Sequence, residues 1–101
     1  SVSDNSTAHK YIEILNKYSN ANLFLSVERQ VADIHTVNFG KIKWVIQGGE
    51  SGKNKRTFEL MWAYDMKRMC KEQNVAYFFK QIDKIQPIPT DLKIQQYPKF
   101  I

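Results

Sequence analysis

Three short apolar runs, each stopped abruptly by polar residues, limit what this chain can fold into. They are Leu23-Phe24-Leu25-Ser26-Val27, Ile42-Lys43-Trp44-Val45-Ile46 and Val75-Ala76-Tyr77-Phe78-Phe79. Nearly continuous runs of this length fit strands covered on both faces, as in parallel sheets. Parallel strands need long crossovers, which are usually helical.

The residues around the runs supply that helical spacing. Asp4-Asn5-Ser6-Thr7 is a cluster of N-cap residues. After it, Ala8, Tyr11, Leu15 and Tyr18 recur at helical spacing, with Ile12 and Ile14 beside them, so residues 8–18 read as an amphipathic helix. Residues 59–73 read as a second helix, with Trp62, Met66, Met69, Cys70 and Gln73 on one side. Glu59 falls in its first turn and Lys67, Arg68 and Lys71 in its last turns, as the helix dipole prefers. Residues 28–40 read as an ordered loop with one irregular turn. Residues 82–101, with Pro87, Pro89 and Pro98, read as a tail packing on the body, because Ile88, Leu92, Ile94, Tyr97 and Phe100 require cover. The expected fold is α/β, with parallel strands alternating with helices in one domain over residues 1–101.

Composition narrows the class further. A chain of 101 residues with 43% hydrophobic residues suffices for one domain with a modest core. No apolar run is long enough for a membrane helix, so no membrane partner is expected. The lone cysteine, Cys70, makes no internal disulfide and cannot by itself hold a metal cluster, which points to a reducing cytoplasm and to no metal site in this chain. A net charge of +5 favours acidic partners such as nucleic acid or nucleotides, and is also ordinary for solubility. The chain opens at Ser1 in what reads as the end of a strand, which suggests a piece of a longer protein or a processed one.

Ligands of parallel α/β folds bind beyond the carboxyl ends of the strands. The runs here stop at Glu28-Arg29, at Gln47-Gly48-Gly49-Glu50-Ser51-Gly52 and at Lys80-Gln81. On neighbouring strands these groups share one rim. Glycines 48, 49 and 52 allow positive φ and close backbone approach to an anion. Lys53, Lys55 and Arg56 add positive charge before a helix N-terminus. Anion binding at Gly48, Gly49, Glu50, Ser51 and Gly52 is one expectation, with Glu28, Arg56, Lys80 and Gln81 as substrate-side groups. A plain strand-to-helix turn with a solvated basic flank is the other. The loop matches neither the G-x-x-x-x-G-K-[ST] phosphate loop nor G-x-G-x-x-G. Glu28 and Glu50 form a possible carboxylate pair, and His9, His35 and Cys70 lack metal-ligand spacing.

The string Trp44-Val45-Ile46-Gln47-Gly48-Gly49-Glu50-Ser51-Gly52, followed by Arg56, Trp62, Cys70 and Val75-Ala76-Tyr77-Phe78-Phe79-Lys80-Gln81, resembles the C-terminal half of a phage- and bacteria-encoded family of radical-SAM-like proteins. Residues 1–15, Leu23 to Glu28 and Asp91 to Pro98 resemble that family's flanking segments, so the likeness covers nearly the whole chain. The family follows its Glu with Pro where this chain has Arg29. The resemblance implies a partial (β/α) barrel. Three closely spaced cysteines in the N-terminal half would ligate a [4Fe–4S] cluster, and S-adenosylmethionine and substrate would sit at the barrel mouth beside Glu28, Gly48, Gly49, Glu50, Ser51 and Lys80. No cofactor is then expected in this chain alone.

Three readings follow. The chain is the cofactor- and substrate-side part of such a protein, inactive alone. Or it is a non-enzymatic nucleic-acid- or phosphate-binding module using Lys53, Lys55, Arg56, Lys67, Arg68 and Lys71. Or it is a structural piece whose open sheet edges pair with the missing N-terminal half or with a second copy.

Overall fold

The fold is seen in a computed structural model that describes residues 4–18, 23–28, 30, 32–34, 37–49, 58–82 and 87–98. Helix α1 (Asn5–Tyr18) begins at Asp4, whose Oδ1 accepts the Thr7 N–H at 2.9 Å and the Thr7 hydroxyl at 2.9 Å. Thr7 Oγ1 accepts the Asp4 N–H at 3.3 Å in return, a reciprocal cap of the capping-box kind. The Thr7 N–H, first among these bonds, holds the Asp4 carboxyl below its ordinary range. The buried stripe of α1 is Ala8 and Ile12 with Leu15 beside it, whereas Tyr11 and Ile14 are exposed. The true face therefore runs i, i+4, i+7, one residue round from the expected one.

The end of α1 is tied to the start of the second strand. Asn16 Oδ1 accepts the Lys41 N–H at 2.7 Å, and Asn16 Nδ2 donates to the carbonyls of Ile12 and Phe39. Gly40 makes this turn at φ +60°, and a side chain there would run into Asn16 Oδ1.

Strands β1 (Leu23–Glu28), β2 (Ile42–Gly48) and β3 (Ala76–Phe79) form a parallel three-stranded sheet in the order β1-β2-β3. The α/β expectation holds. Helix α2 (Leu60–Glu72) connects β2 to β3 and buries Ala63, Met66, Met69 and Cys70. Glu59 precedes this helix as an extended N-cap with no side-chain cap bond, rather than sitting in its first turn. The helix stops at Gln73 because Asn74 takes a left-handed φ of 56°. Gln73 also clamps the segment before β2: its Oε1 accepts the Phe39 N–H at 2.8 Å and its Nε2 donates to the Val37 carbonyl at 2.6 Å.

Register fixes two faces. Leu25, Val45 and Tyr77 form one row, and Val27, Gln47 and Phe79 the next. All six are buried, on the side covered by α2. The opposite face carries Phe24, Trp44, Ile46 and Phe78. There the Trp44 ring meets Phe24 at 6.1 Å, Phe78 at 6.5 Å and Tyr97 at 5.7 Å between centroids. Phe24 is 54% exposed and Tyr97 68%.

The tail runs through a 3-10 turn at Thr90–Leu92, with Leu92 fully buried, and then lies antiparallel along the outer edge of β3. Phe79 donates its N–H to the Ile94 carbonyl at 2.8 Å, and Gln96 donates to the Tyr77 carbonyl at 3.0 Å. The Tyr77 N–H goes to Gln96 Oε1 and the Trp44 indole N–H to the Gln96 carbonyl. Phe100 lies outside the described residues.

Cys70 is buried against the sheet, and burial pushes its thiol up to about 12. At pH 8 the native chain should resist alkylation that the denatured chain undergoes readily, since thiolate is the reacting form. Mass spectrometry of a timed iodoacetamide reaction checks this; equal labelling of native and denatured chain would overturn it.

Candidate functional site

The carboxyl ends of the three strands bring Glu28, Gly48 and Lys80 level with one another. Glu28 pairs in register with Gly48, and Gln47 with Phe79, so Lys80 follows one step later opposite Gly48. All three positions share the face that α2 leaves open. Lys80 Nζ lies 3.2 Å from Glu28 Oε1, reaching across the central strand. Gly48 is what leaves that path clear: a Cβ there would stand 3.3 Å from Lys80 Cβ and 3.2 Å from Gln81 Nε2. The pair is partly solvated, with side chains 34% and 48% exposed. Screening limits such a pair to about 0–1 kcal/mol, so what it provides is placed charge rather than stability.

Behind this row lies a buried polar network. Gln47, expected in the loop, is instead the last but one residue of β2 and wholly buried. Strand alternation turns it toward α2, one position short of the open rim. Its Nε2 donates to Gln30 Oε1 at 2.7 Å and to the Trp62 carbonyl at 3.2 Å. Its Oε1 accepts the Tyr77 hydroxyl at 2.5 Å, which also reaches the Ala63 carbonyl at 3.3 Å. Gln30 completes the set by donating to the Ala32 carbonyl at 2.9 Å. No buried side-chain polar atom among the described residues lacks a partner. Burial is the leading cause that pushes the Tyr77 hydroxyl far above its ordinary range, so it stays a neutral donor. The network fastens the strand ends to the start of α2 and to the chain leaving β1. Gln30 was not legible in the sequence, where nothing distinguishes it from a loop glutamine.

Gly49 has a different role from the one expected of a glycine in an anion loop. Neither Gly48 nor Gly49 has positive φ; among the described glycines only Gly40 does. The Gly49 N–H donates to the Gln81 carbonyl at 2.9 Å, and its own carbonyl accepts from Gln81 Nε2 at 2.9 Å. A Cβ at 49 would collide with the Ile82 carbonyl oxygen and stand 2.9 Å from Phe58 Cβ. The residue is glycine because two backbone segments meet there. Gln81 is thereby fixed beside the rim.

Glu50, Ser51, Gly52 and Arg56, with Lys53 and Lys55, lie outside the described residues, as does Arg29. The suggested Glu28–Glu50 pair falls there too. Of the more distant basic residues, Lys67 donates to the Asp91 carbonyl at 3.0 Å and Arg68 pairs with Glu72 at 2.8 Å. Among the described residues no group of three or more His, Cys, Asp or Glu side chains could hold a metal ion. No described helix is long and apolar enough to cross a membrane.

A family model described as "Protein of unknown function (DUF5131)" matches residues 1–95. No curated protein and no solved structure matches the chain.

Proposed function

Since the chain belongs to the DUF5131 family, we propose, from the resemblance of its strand ends to radical-SAM-like proteins together with the geometry of those ends, that it is the cofactor- and substrate-side part of a phage-related, cytoplasmic radical-SAM-like protein, and that it performs no chemistry alone. The observation that carries this is the Glu28–Lys80 pair, meeting across Gly48 at the carboxyl ends of three sequence-ordered parallel strands. Opposite charges 3.2 Å apart at that position suit a zwitterionic ligand. Its ammonium group would take the Glu28 carboxylate and its carboxylate the Lys80 ammonium. S-adenosylmethionine carries such an amino-acid end, and with a reduced iron–sulfur cluster it supplies a carbon radical. Glu28 and Lys80 would hold and orient that end, with Gly48 keeping the path between the two side chains clear.

The donor set of this chain does not suit the cluster itself. A cluster needs several thiolates; the only thiol is Cys70, buried under the sheet and held protonated. The cluster would therefore be held by residues outside this chain.

The test starts with the reading frame upstream of Ser1, which should encode three closely spaced cysteines. The whole protein, purified anaerobically, should then bind iron and cleave S-adenosylmethionine. Lys80→Met in that protein should weaken S-adenosylmethionine binding about ten- to a hundredfold, the loss expected for one charge-assisted hydrogen bond. Its melting midpoint should stay within a few degrees, because the pair is partly solvated. Unchanged affinity, or a frame without the cysteines, would overturn the proposal. So would turnover by the 101 residues alone.

A further inference from the structure

We infer that the outer edge of β1 and the sheet face bearing Phe24 and Trp44 are the docking surface for a further strand-and-helix unit, one that precedes α1 in the same polypeptide. The two edges of the sheet differ. The outer edge of β3 is taken by the chain's own tail, through the Phe78–Gln95 bridge and the bonds from Phe79 to Ile94 and from Gln96 to Tyr77. β1 has β2 on one side, and among the described residues nothing pairs with its other side. Of the two described edges, this is the one left open to extension.

Topology says what kind of element extends it. Helix α2 joins β2 to its parallel neighbour β3. Helix α1 leads into β1 in the same manner, and the strand from which such a crossover starts normally lies beside the strand it enters. The β2 side of β1 is occupied, so that strand belongs on the outer edge, parallel to β1. The face it would help enclose fits burial. Phe24 is more than half exposed, and it forms with Trp44 and Phe78 an aromatic row over which no described helix lies, the tail's Tyr97 packing on Trp44 and Phe78 but not on Phe24. An added parallel unit curving over this face would bury those rings and leave Glu28 and Lys80 at the mouth. The inference rests on the reading of the chain as part of a longer α/β protein, and not on cluster chemistry.

Phe24→Asp separates the possibilities, made both in the 101-residue chain and in the product of the longer reading frame. In the short chain Phe24 is a surface residue, so the melting midpoint should move by no more than a few degrees. In the long product it is a core residue, so the midpoint should fall by roughly 10 °C or more. Hydrogen exchange of the β1 amides in the wild-type proteins should be markedly slower in the long product. Equal tolerance of Phe24→Asp in both, or a frame with no preceding strand-and-helix unit, would overturn the inference. A dimer of the short chain that Phe24→Asp dissociates would overturn it in favour of a second copy. Iron binding and S-adenosylmethionine cleavage are read separately. A long product that loses stability on Phe24→Asp yet binds no iron keeps this inference and sinks the proposed function.

Discussion

Gly49→Ala is expected to cost roughly 3–5 kcal/mol of stability and to lower the melting midpoint by roughly 15–30 °C. The new methyl group would collide with the Ile82 carbonyl oxygen and press on Phe58 Cβ. A flexible side chain could swing away from such a contact; a backbone carbonyl in the segment leaving β3 cannot. Relief requires that segment to move, which breaks the bonds in both directions between Gly49 and Gln81. Gly48→Ala is the control. Its methyl group would meet the Gln81 amide and the stem of Lys80 at 3.2 and 3.3 Å, and both can shift slightly. Thermal denaturation of the two variants should separate adjacent glycines widely. Similar midpoints would show that the collision at 49 is easily relaxed.

Gln47→Leu is the second large effect, expected at about 3–5 kcal/mol. Leucine fills a similar volume but leaves Gln30 Oε1 without its donor and the Tyr77 hydroxyl with only its longer bond to Ala63. Each buried polar group so orphaned costs about 1–3 kcal/mol. A domain of this length has only on the order of 5–15 kcal/mol in hand, so the variant should sit near the threshold of folding. Tyr77→Phe alone should cost about 1–3 kcal/mol, because it strands Gln47 Oε1. The double variant should be less damaging than the sum, since both partners of one bond are then gone. Urea unfolding of the four proteins gives the coupling directly. Strict additivity would mean that Gln47 and Tyr77 do not act as one network.

How much of this could be read from the sequence depended on whether an apolar signal existed. The strands were legible because Leu23–Val27 and Ile42–Ile46 are nearly continuous apolar runs, as a parallel sheet covered on both faces demands. Their ends were less so. β2 continues through Gln47 and Gly48, because the polarity of Gln47 mimics a strand end while its buried partners make it a core residue. Polar residues that are satisfied internally look like surface residues until their partners are known. The meeting of Glu28 and Lys80 was legible only as a shared rim. Their contact depends on register and on the missing side chain at Gly48, which no single segment states. The glycine pair was legible as special, but for the wrong reason. Among the described residues positive φ falls on Gly40 and Asn74, where turns need it, while Gly49 answers to a backbone neighbour far along the chain. The pairing of residues 94–96 with β3 had no signature at all. Gln95 and Gln96 are polar and exposed, and their attachment is made of hydrogen bonds.

That tail bears on how the protein stays dispersed. An uncovered strand edge is adhesive, and folded proteins usually blunt theirs with charge, proline or a bulge. Here Ile94 and Gln96 do the blunting by filling the hydrogen-bonding positions of β3 themselves. A boundary drawn for expression at the end of β3, where the last regular strand stops, would strip away this guard. It would turn a finished margin of the sheet into a sticky one and take the buried Leu92 out of the core, while leaving α1, α2 and the three strands whole.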